Sequence, residues 1–192
     1  LKLTLRKQER NFTALVFGTG PDDFYLERGD FADFAFSFDI NNFAGRRTIQ
    51  LIVRDIRPCE KIRNIVKEAR SAFAKGVSGT ECRMSAVPSI HIMREFYKFI
   101  KANEARFGTG INLWLFSRRF LNEYSQTRER SIGELPQEIY LYMFEIFREL
   151  GLAKYRIDDC ATVSYSLCRG VGKVDIESSP LLNKLKACAY IQ

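Results

Sequence analysis

The sequence predicts a protein of the α+β class, in which a β-rich N-terminal part precedes a mostly helical C-terminal part. Residues 1–57 alternate apolar and polar side chains with a period of two, which is typical of half-buried strands. Residues 87–192 instead repeat apolar side chains at helical spacing in three successive segments. With 46% hydrophobic residues, the 192-residue chain has enough apolar surface for one sizeable core or two small ones.

Four segments of the N-terminal part have strand-like patterns. LKLTLR places its leucines on one side, and NFTALVFGTG ends in the glycines of a predicted loop. FADFAFSFDI directs every second residue from Phe34 to Ile40 to one face, and RTIQLIVRDI does the same with Ile49, Leu51 and Val53. Four short strands with glycine-marked turns predict a small antiparallel barrel, and a five-stranded barrel would need one more strand upstream of Leu1.

The last two predicted strands are joined by a short polar segment. Asn41, Asn42 and Gly45 are residues that adopt the positive φ angles of a tight hairpin loop. A basic pair, Arg46 and Arg47, follows directly and is expected at the tip of the hairpin. Pro58 ends the last strand, because proline has no N–H group to donate to a neighbouring strand.

Residues 58–86 are predicted to form a basic connector whose first half is compatible with a helix, and GVSGT (76–80) is predicted to be a loop. Residues 1–57 contain nine Lys or Arg against eight Asp or Glu, a net charge of +1. Residues 58–130 contain fourteen against seven (+7), and residues 131–192 contain seven against eight (−1). The basic excess therefore lies in the connector and the next helices, which is compatible with a nucleic acid or an acidic protein as partner.

The C-terminal domain is predicted to span residues 87–192. Three helices are expected in PSIHIMREFYKFIKAN, NLWLFSRRFLNEY and PQEIYLYMFEIFRELG, with Gly151 ending the third. TVSYSLC and KVDIE are predicted to form a hairpin around the turn RGVG (169–172). A last helix is expected to begin at Pro180, capped by Ser178 or Ser179. Three helices followed by a hairpin is the order of elements in a winged helix-turn-helix.

No motif of a known catalytic or metal site occurs in the sequence. The five cysteines form no CxxC pair and His91 is the only histidine, which disfavours both a zinc site and a cysteine nucleophile. The carboxylate pairs Asp22-Asp23 and Asp158-Asp159 fall in predicted turns, where solvated turn residues are the more common reading. We expect reduced thiols, a cytoplasmic location and no cofactor in this chain.

The ends and the hydropathy of the chain add two expectations. No run of about 18 apolar residues and no signal peptide occur in the sequence. The chain begins with LKLTLRK and without an initiator methionine, so the sequence is interpreted as an excised fragment.

Basic residues on the predicted strands and turns are candidates for contacting phosphates. Three of them share the solvated faces of their strands, two lie at the predicted hairpin tip and one lies in the first turn. The alternative is that these are ordinary solvating charges, because Asp33, Asp39 and Asp55 dilute the positive field. The candidates are Lys2, Arg6, Lys7, Arg46, Arg47 and Arg54.

The third predicted helix, residues 136–150, is poorly suited to reading duplex DNA. It carries Glu138, Glu145 and Glu149 against Arg148, and acidic side chains repel phosphates. A structural or protein-docking role is therefore favoured for the C-terminal domain. The wing tip predicted at Arg169–Lys173 remains a candidate contact for a nucleic-acid backbone or an acidic peptide.

The segments LKLTLR, VFGTG and FDINNFAGRRTIQLIVRDIRP together resemble the oligonucleotide/oligosaccharide-binding (OB) barrel of bacterial RecJ-type single-stranded-DNA-specific exonucleases. REFYKFI, MFEIFRELGL and KVDIESSPLLNKL resemble the additional C-terminal domain found in many members of that family, and the connector is unmatched. In the family, an Asn-aromatic-x-Gly hairpin leads into a Gln-Leu-x-Val-x-Asp-Ile strand. The matching positions are Asn42, Phe43, Gly45, Gln50, Leu51, Val53, Asp55 and Ile56.

The resemblance implies a parent enzyme that degrades single-stranded DNA from a 5′ end with Mg²⁺ or Mn²⁺, in DNA repair and recombination. The upstream Asp and His motifs of that enzyme have no counterpart here, so the resemblance implies a non-catalytic C-terminal piece with an incomplete OB barrel. The basic residues of the barrel would guide single strands, and the C-terminal domain would dock a partner such as single-stranded-DNA-binding protein. The alternatives are a winged-helix regulator that binds duplex DNA and a pure protein-interaction module.

Overall fold

The computed structural model describes residues 1–18, 24, 26, 28–43, 45–127, 135–159 and 161–189, without the side chains of Phe43, Arg46, Gln126 and Thr127. The chain divides into two compact units, Leu1–Glu60 (unit 1) and Lys61–Gln192 (unit 2). Unit 1 is built on a β-sheet and unit 2 is mostly helical. The predicted α+β class is confirmed. The predicted barrel region lies within unit 1, and residues 61–86 of the predicted connector belong to unit 2.

Unit 1 contains a four-stranded sheet in the order β1-β2-β4-β3. β1 pairs antiparallel with β2, and β3 pairs antiparallel with β4 along nearly its whole length. β2 and β4 are parallel and pair through Ala14 with Leu51 and Leu15 with Ile52. All four predicted strands are confirmed, although two of them are long. The strands are β1 (Lys2–Lys7), β2 (Arg10–Leu15), β3 (Ala32–Phe43) and β4 (Arg46–Pro58).

The hairpin between β3 and β4 is tighter than predicted. Asn41 and Asn42 were expected in the loop, but both are extended and pair with Thr48 and Arg47, so this part of the prediction is wrong. The strand pairing continues to the end of the hairpin and satisfies their backbone groups, which outweighs the turn preference of asparagine. Gly45 has the expected positive φ, 73°. β4 ends at Pro58 as predicted.

The two faces of the unit 1 sheet differ in chemistry. Directly paired residues lie on the same face, so the register assigns the paired side chains to one of two sets. Arg54 has no paired residue, because it lies at an irregularity of the β3–β4 pairing, and it is assigned to the set of Ser37 by its hydrogen bond to that residue. Ala14 and Leu51 are buried at the centre of the first set. The apolar face consists of Leu3, Leu5, Lys7, Arg10, Phe12, Ala14, Ala32, Phe34, Phe36, Phe38, Ile40, Asn42, Arg47, Ile49, Leu51, Val53, Ile56 and Pro58. The polar face consists of Lys2, Thr4, Arg6, Asn11, Thr13, Leu15, Asp33, Ala35, Ser37, Asp39, Asn41, Thr48, Gln50, Ile52, Arg54, Asp55 and Arg57.

Unit 2 contains the predicted helices in the predicted order, together with a small sheet. Each of the three helices of the predicted C-terminal domain is present, and the last helix is capped at Ser179, whose Oγ accepts the N–H of Leu182 at 3.1 Å. Gly151 follows the third of them with φ 67° as expected. The helices are α1 (Glu60–Ser78), α2 (Ile90–Ala102), α3 (Glu104–Phe107), α4 (Leu113–Thr127), α5 (Glu138–Glu149) and α6 (Pro180–Ala189), and the strands are β5 (Ile111–Asn112), β6 (Ala153–Ile157) and β7 (Thr162–Leu167).

The hairpin of unit 2 lies upstream of the predicted one. The segment TVSYSLC does form β7, but its partners are β6 and the short β5, in the order β5-β7-β6. The segment KVDIE is not a strand, because the Asp175 side chain accepts the N–H of Glu177 and starts a 3₁₀ turn at Ile176–Ser178. The predicted pairing around RGVG is therefore wrong. The turn of the hairpin instead contains Asp158, whose Oδ1 accepts the N–H of Thr162 at 2.8 Å, which confirms the predicted turn position of this residue.

The connector helix is longer than predicted. α1 continues through Gly76, Val77 and Ser78, so the predicted loop begins only at Gly79, where φ is 81°. Gly76 is present because α1 passes close to Tyr142: a Cβ atom at Gly76 would lie 2.6 Å from Cζ of the tyrosine ring. A glycine interpreted as a break in the helix is instead a point of close packing.

The core of unit 2 surrounds α5. The Phe96 ring lies at its centre and packs edge-to-face against the rings of Phe116, Phe120 and Phe144, at centroid distances of 5.2–5.7 Å. α5 is buried at all but a few of its positions. The Tyr142 hydroxyl donates to the Ala72 carbonyl of α1 at 3.0 Å. The Ser179 hydroxyl before α6 donates to Glu149 Oε2 at 2.7 Å, so α5 is covered from two further sides.

Candidate nucleic-acid interface

Three of the predicted basic residues lie together on the polar face of unit 1. Lys2 pairs with Leu15, and Leu15 pairs with Ile52, so Lys2 and Arg54 lie at the same end of the sheet. With strands about 4.8 Å apart and about 3.3 Å per residue, their Cα atoms are separated by roughly 12 Å. Arg6 lies on the same face of β1, about 13 Å from Lys2. All three side chains are exposed.

The guanidinium groups on the polar face are held by neutral partners. Arg54 Nε donates to Ser37 Oγ at 3.2 Å, and Arg6 Nε donates to the Gln8 carbonyl at 3.3 Å. Among the residues that the structure describes, no ion pair involves Lys2, Arg6 or Arg54. Their positive charges are thus available to an anion from solvent.

Two of the carboxylates expected to weaken the positive field have local partners. Asp39 accepts from Gln50 Nε2 at 2.8 Å and from the N–H of Ile40 at 2.9 Å. Asp55 Oδ2 lies 2.7 Å from Arg57 Nε, an exposed ion pair. Asp55 is therefore partly neutralised by Arg57, whereas Asp39 keeps its negative charge on the polar face, because both of its donors are neutral.

The other three predicted residues do not join this group. Lys7 follows Arg6 in the strand and pairs with Arg10, which places it on the side of the apolar face. Arg47 pairs with Asn42 near the tip of the hairpin, also on that side. The side chain of Arg46 lies outside the described residues. The six candidates therefore do not form one continuous surface.

Two phenylalanines outside the strands are among the most exposed apolar side chains of unit 1, and the sequence analysis missed them. Phe17 is 71% exposed and follows β2 by two residues, at the end of the sheet where Lys2 and Arg54 lie. Phe31 is 70% exposed and directly precedes β3. The sequence signal for Phe17 was its position in VFGTG, beside a loop glycine and outside the alternating strands.

Unit 2 has a pocket of about 340 Å³ beside the start of α2. Apolar lining comes from Ile90, Val174 and Ile176, and positive charge comes from Arg94 and Lys173. The pocket also contains two acidic residues with partners of their own. Asp175 accepts the N–H of Glu177, and Glu177 lies 3.8 Å from Lys186.

The exposed side of α2 extends the basic character of this pocket. Arg94, Lys98 and Lys101 are spaced along one side of the helix and are exposed. Lys98 Nζ lies 3.0 Å from Glu95 Oε1. The wing tip predicted at Arg169–Lys173 is not a hairpin turn, but Lys173 contributes to this pocket.

The titratable groups of unit 2 are arranged as structural partners. Arg83 forms an ion pair with Glu138, which is 3% exposed at the start of α5, and this partner raises the pKa of the arginine. A hydrogen bond from Arg148 lowers the pKa of Glu145. His91, the only histidine, lies 3.1 Å from the Tyr124 hydroxyl and is exposed. None of these contacts joins a nucleophile to a base.

The described residues offer no candidate for a metal site or for a membrane-spanning helix. No group of three or more His, Cys, Asp or Glu side chains among them is arranged to hold a metal ion. No helix among them is both long enough and apolar enough to cross a membrane.

Comparison with known proteins gives a match within unit 1. Residues 1–55 match the protein-family model of the RecJ OB domain. No curated protein and no solved structure matches the chain. The match and the sheet together support an OB-like domain over residues 1–55 that is similar to the RecJ OB domain, and this similarity suggests nucleic-acid binding.

Proposed function

We propose that unit 1 binds single-stranded DNA through its polar face, and that the chain is the non-catalytic C-terminal part of a cytoplasmic RecJ-type exonuclease. The observation that carries the proposal is the grouping of Lys2, Arg6 and Arg54 on one face of a sheet that matches the RecJ OB domain. Hydrolysis with the help of Mg²⁺ or Mn²⁺ would take place in a separate catalytic domain, and this chain would guide the single strand to that domain.

The three cations suit a flexible, single-stranded ligand. Lys2 lies roughly 12–13 Å from each of the other two, a spacing that bridges several phosphates of one strand, and each neutralised phosphate releases counterions. The hydroxyl of Ser37 orients Arg54, which reduces the entropy that the guanidinium loses when it contacts a phosphate. Phe17, exposed at the same end of the sheet, offers a ring on which one base stacks.

The test is fluorescence anisotropy of a labelled 20-nucleotide single strand at 20–200 mM salt. The double variant Lys2→Ala/Arg54→Ala is expected to weaken binding and to lower the slope of log K against log salt by about 1.4, since single strands contribute about 0.7 per phosphate contact. The matched control is Lys67→Ala/Lys154→Ala, which removes the same charge from exposed positions of unit 2. Equal slopes for both double variants would contradict the proposal.

Recognition of duplex DNA by α5 is the weaker alternative. The order of α2, α4 and α5 followed by the β6–β7 hairpin supports this alternative, since in a winged helix the third helix of the motif enters the major groove. Here that helix is α5, which is buried against the core, α1 and α6. A duplex that binds more tightly than the single strand would nevertheless favour this alternative.

Partner docking is the second function we propose, for unit 2. The pocket at Ile90 and Ile176 combines apolar lining with Arg94 and Lys173, and Lys98 and Lys101 extend the positive charge along α2. Such a surface suits an acidic peptide with an apolar anchor, and the tail of single-stranded-DNA-binding protein is acidic.

The docking test is a titration of single-stranded-DNA-binding protein, with and without its tail. Arg94→Glu is expected to weaken binding at least tenfold, whereas Lys67→Glu on α1 should have little effect. Binding that survives removal of the tail, or that Lys67→Glu weakens equally, would contradict this site.

A further inference from the structure

The turn between β1 and β2 brings like charges together. Lys7 and Arg10 are directly paired across a turn of two residues, Gln8 and Glu9, so their Cα atoms lie about 5 Å apart. Both side chains are exposed. Like charges directly opposite each other destabilise a sheet, and Gln8 has a positive φ of 56°, which costs energy in a residue other than glycine. Such local costs cluster at binding sites.

A third cation lies at the same level of the sheet. β2 and β4 are parallel and pair through Ala14 and Leu51, and four residues back along each strand are Arg10 and Arg47. Because an even number of residues separates them from that pair, both lie on its face of the sheet. Arg47 is exposed, and no ion pair among the described residues involves Lys7, Arg10 or Arg47. We call these three cations the turn row.

The turn row and the cations of the polar face meet at this turn. Arg6 belongs to the polar face, but its Nε donates to the Gln8 carbonyl at 3.3 Å, so its guanidinium lies at the turn. Lys7 is the next residue and lies on the opposite face. Glu9, an exposed carboxylate in the turn, offsets part of the positive charge. A nucleic acid on the polar face therefore reaches the turn row only if it changes direction at the turn.

The two groups of cations differ in their spacing. Lys2 lies roughly 12–13 Å from Arg6 and from Arg54, whereas the turn row lies on three neighbouring strands, whose usual separation is about 4.8 Å. Closely spaced cations gain most from the densest anion, and duplex DNA has one charge per roughly 1.7 Å of its axis, against roughly 3.4 Å for each strand. The paired positions at the turn also hold the cations in fixed places, which suits a stiff ligand.

We propose that the turn row binds the backbone of duplex DNA next to a single-stranded tail that lies on the polar face. This contact rests on the single-strand binding proposed above, and it defines the ligand as a junction between single-stranded and double-stranded DNA. The junction supplies the change of direction at the turn, because its tail is flexible and its duplex is stiff. An uninterrupted duplex is too stiff to contact both faces of the sheet, and an uninterrupted single strand offers the turn row a lower charge density.

The test is fluorescence anisotropy of the full chain with labelled DNA at 20–200 mM salt. The probes are a 20-nucleotide single strand, a blunt 20-base-pair duplex, and the same duplex with a 10-nucleotide tail at the 5′ or the 3′ end. We expect the tailed duplex of one polarity to bind about fivefold more tightly than either other probe. Arg10→Ala/Arg47→Ala should remove this preference and leave single-strand affinity unchanged. For the tailed duplex it should lower the slope of log K against log salt by about 1.8, since each duplex contact contributes about 0.9.

A control variant and a stability measurement accompany the test. Lys67→Ala/Lys154→Ala removes the same charge from unit 2 and should leave the preference for the tailed duplex intact. The Tm of Arg10→Ala/Arg47→Ala should not fall, because the change relieves the repulsion of Lys7. A lower Tm would assign the two arginines to folding and would count against the turn row.

Three results would overturn the duplex contact. They are a tailed duplex that binds no more tightly than the single strand, a blunt duplex that binds as tightly as the tailed one, and a turn-row variant that weakens the single strand and the tailed duplex equally. Lys2→Ala/Arg54→Ala separates this failure from failure of the proposed function. If that variant still weakens single-strand binding, the polar face retains its assigned role while the turn row loses its own.

Discussion

At the scale of single residues, two tyrosines of α5, Tyr140 and Tyr142, differ in what their hydroxyls contact. The Tyr142 hydroxyl donates to the Ala72 carbonyl, whereas the Tyr140 hydroxyl is buried without a hydrogen-bond partner among the described residues. Burial raises the pKa of both side chains. Tyr140→Phe is expected to leave the free energy of unfolding unchanged or raise it by about 1 kcal/mol, because it removes an unsatisfied polar group. Tyr142→Phe, the matched control, should lower it by about 1 kcal/mol. Urea unfolding of both variants measures the difference, and equal losses would contradict this assignment.

Gly76 provides a second prediction at the residue scale. Replacing glycine by alanine within a helix normally stabilises the protein by about 1 kcal/mol. At Gly76 the new methyl group would overlap the Tyr142 ring, so Gly76→Ala is expected to lower the free energy of unfolding by about 1–3 kcal/mol instead. Ala74→Gly at an exposed position of α1 is the comparison, with an expected loss of about 1 kcal/mol from helix propensity alone. A stabilised Gly76→Ala protein, measured by thermal unfolding, would contradict the close packing of α1 on α5.

At the scale of elements, the last turn of α5 is joined to the hairpin by a cluster whose stability depends on pH. Glu145 accepts from Arg148 Nε and from the Tyr155 hydroxyl, both at 2.9 Å, and the arginine lowers its pKa. A carboxylate with a lowered pKa stabilises the fold above its unfolded pKa, near 4.3, and loses this contribution as the pH falls below it. Arg148→Met should therefore cost less than about 1 kcal/mol at pH 7, since the arginine is half exposed, and a smaller amount at pH 3. Urea unfolding at both pH values tests the prediction, and an equal loss at pH 3 would assign the effect to packing.

Elements with a clear period were predictable from the sequence, and those decided by tertiary contacts were not. The alternation of LKLTLR and the helical spacing of α2, α4 and α5 each led to a confirmed element. AKYRI, which forms β6, also alternates. The glycine-rich RGVG was nevertheless preferred as the hairpin turn over the segment at Asp158, so the sequence predicted KVDIE instead of β6 as the partner of β7. The basic residues of the polar face were identifiable because they alternate with leucine. Lys7 and Arg47 lie on the opposite face of the sheet from Arg54. This separation depends on strand register, which the sequence alone does not define.

At the scale of the whole molecule, the two units are expected to differ in their ability to fold alone. The core of unit 2 includes the aromatic cluster around Phe96 and a fully buried face of α5, whereas the sheet of unit 1 buries little beyond Ala14 and Leu51. A separate chain of residues 59–192 should therefore unfold cooperatively, with a Tm within a few degrees of the main transition of the whole chain. Residues 1–60 alone should be unstable, since a small domain with an exposed apolar face gains too little burial to offset chain entropy. Circular dichroism melting of the two pieces tests this, with Phe96→Ala as a control that should abolish the transition of the longer piece. If residues 59–192 failed to fold, the core of unit 2 would depend on unit 1, and the two units would not be independently stable.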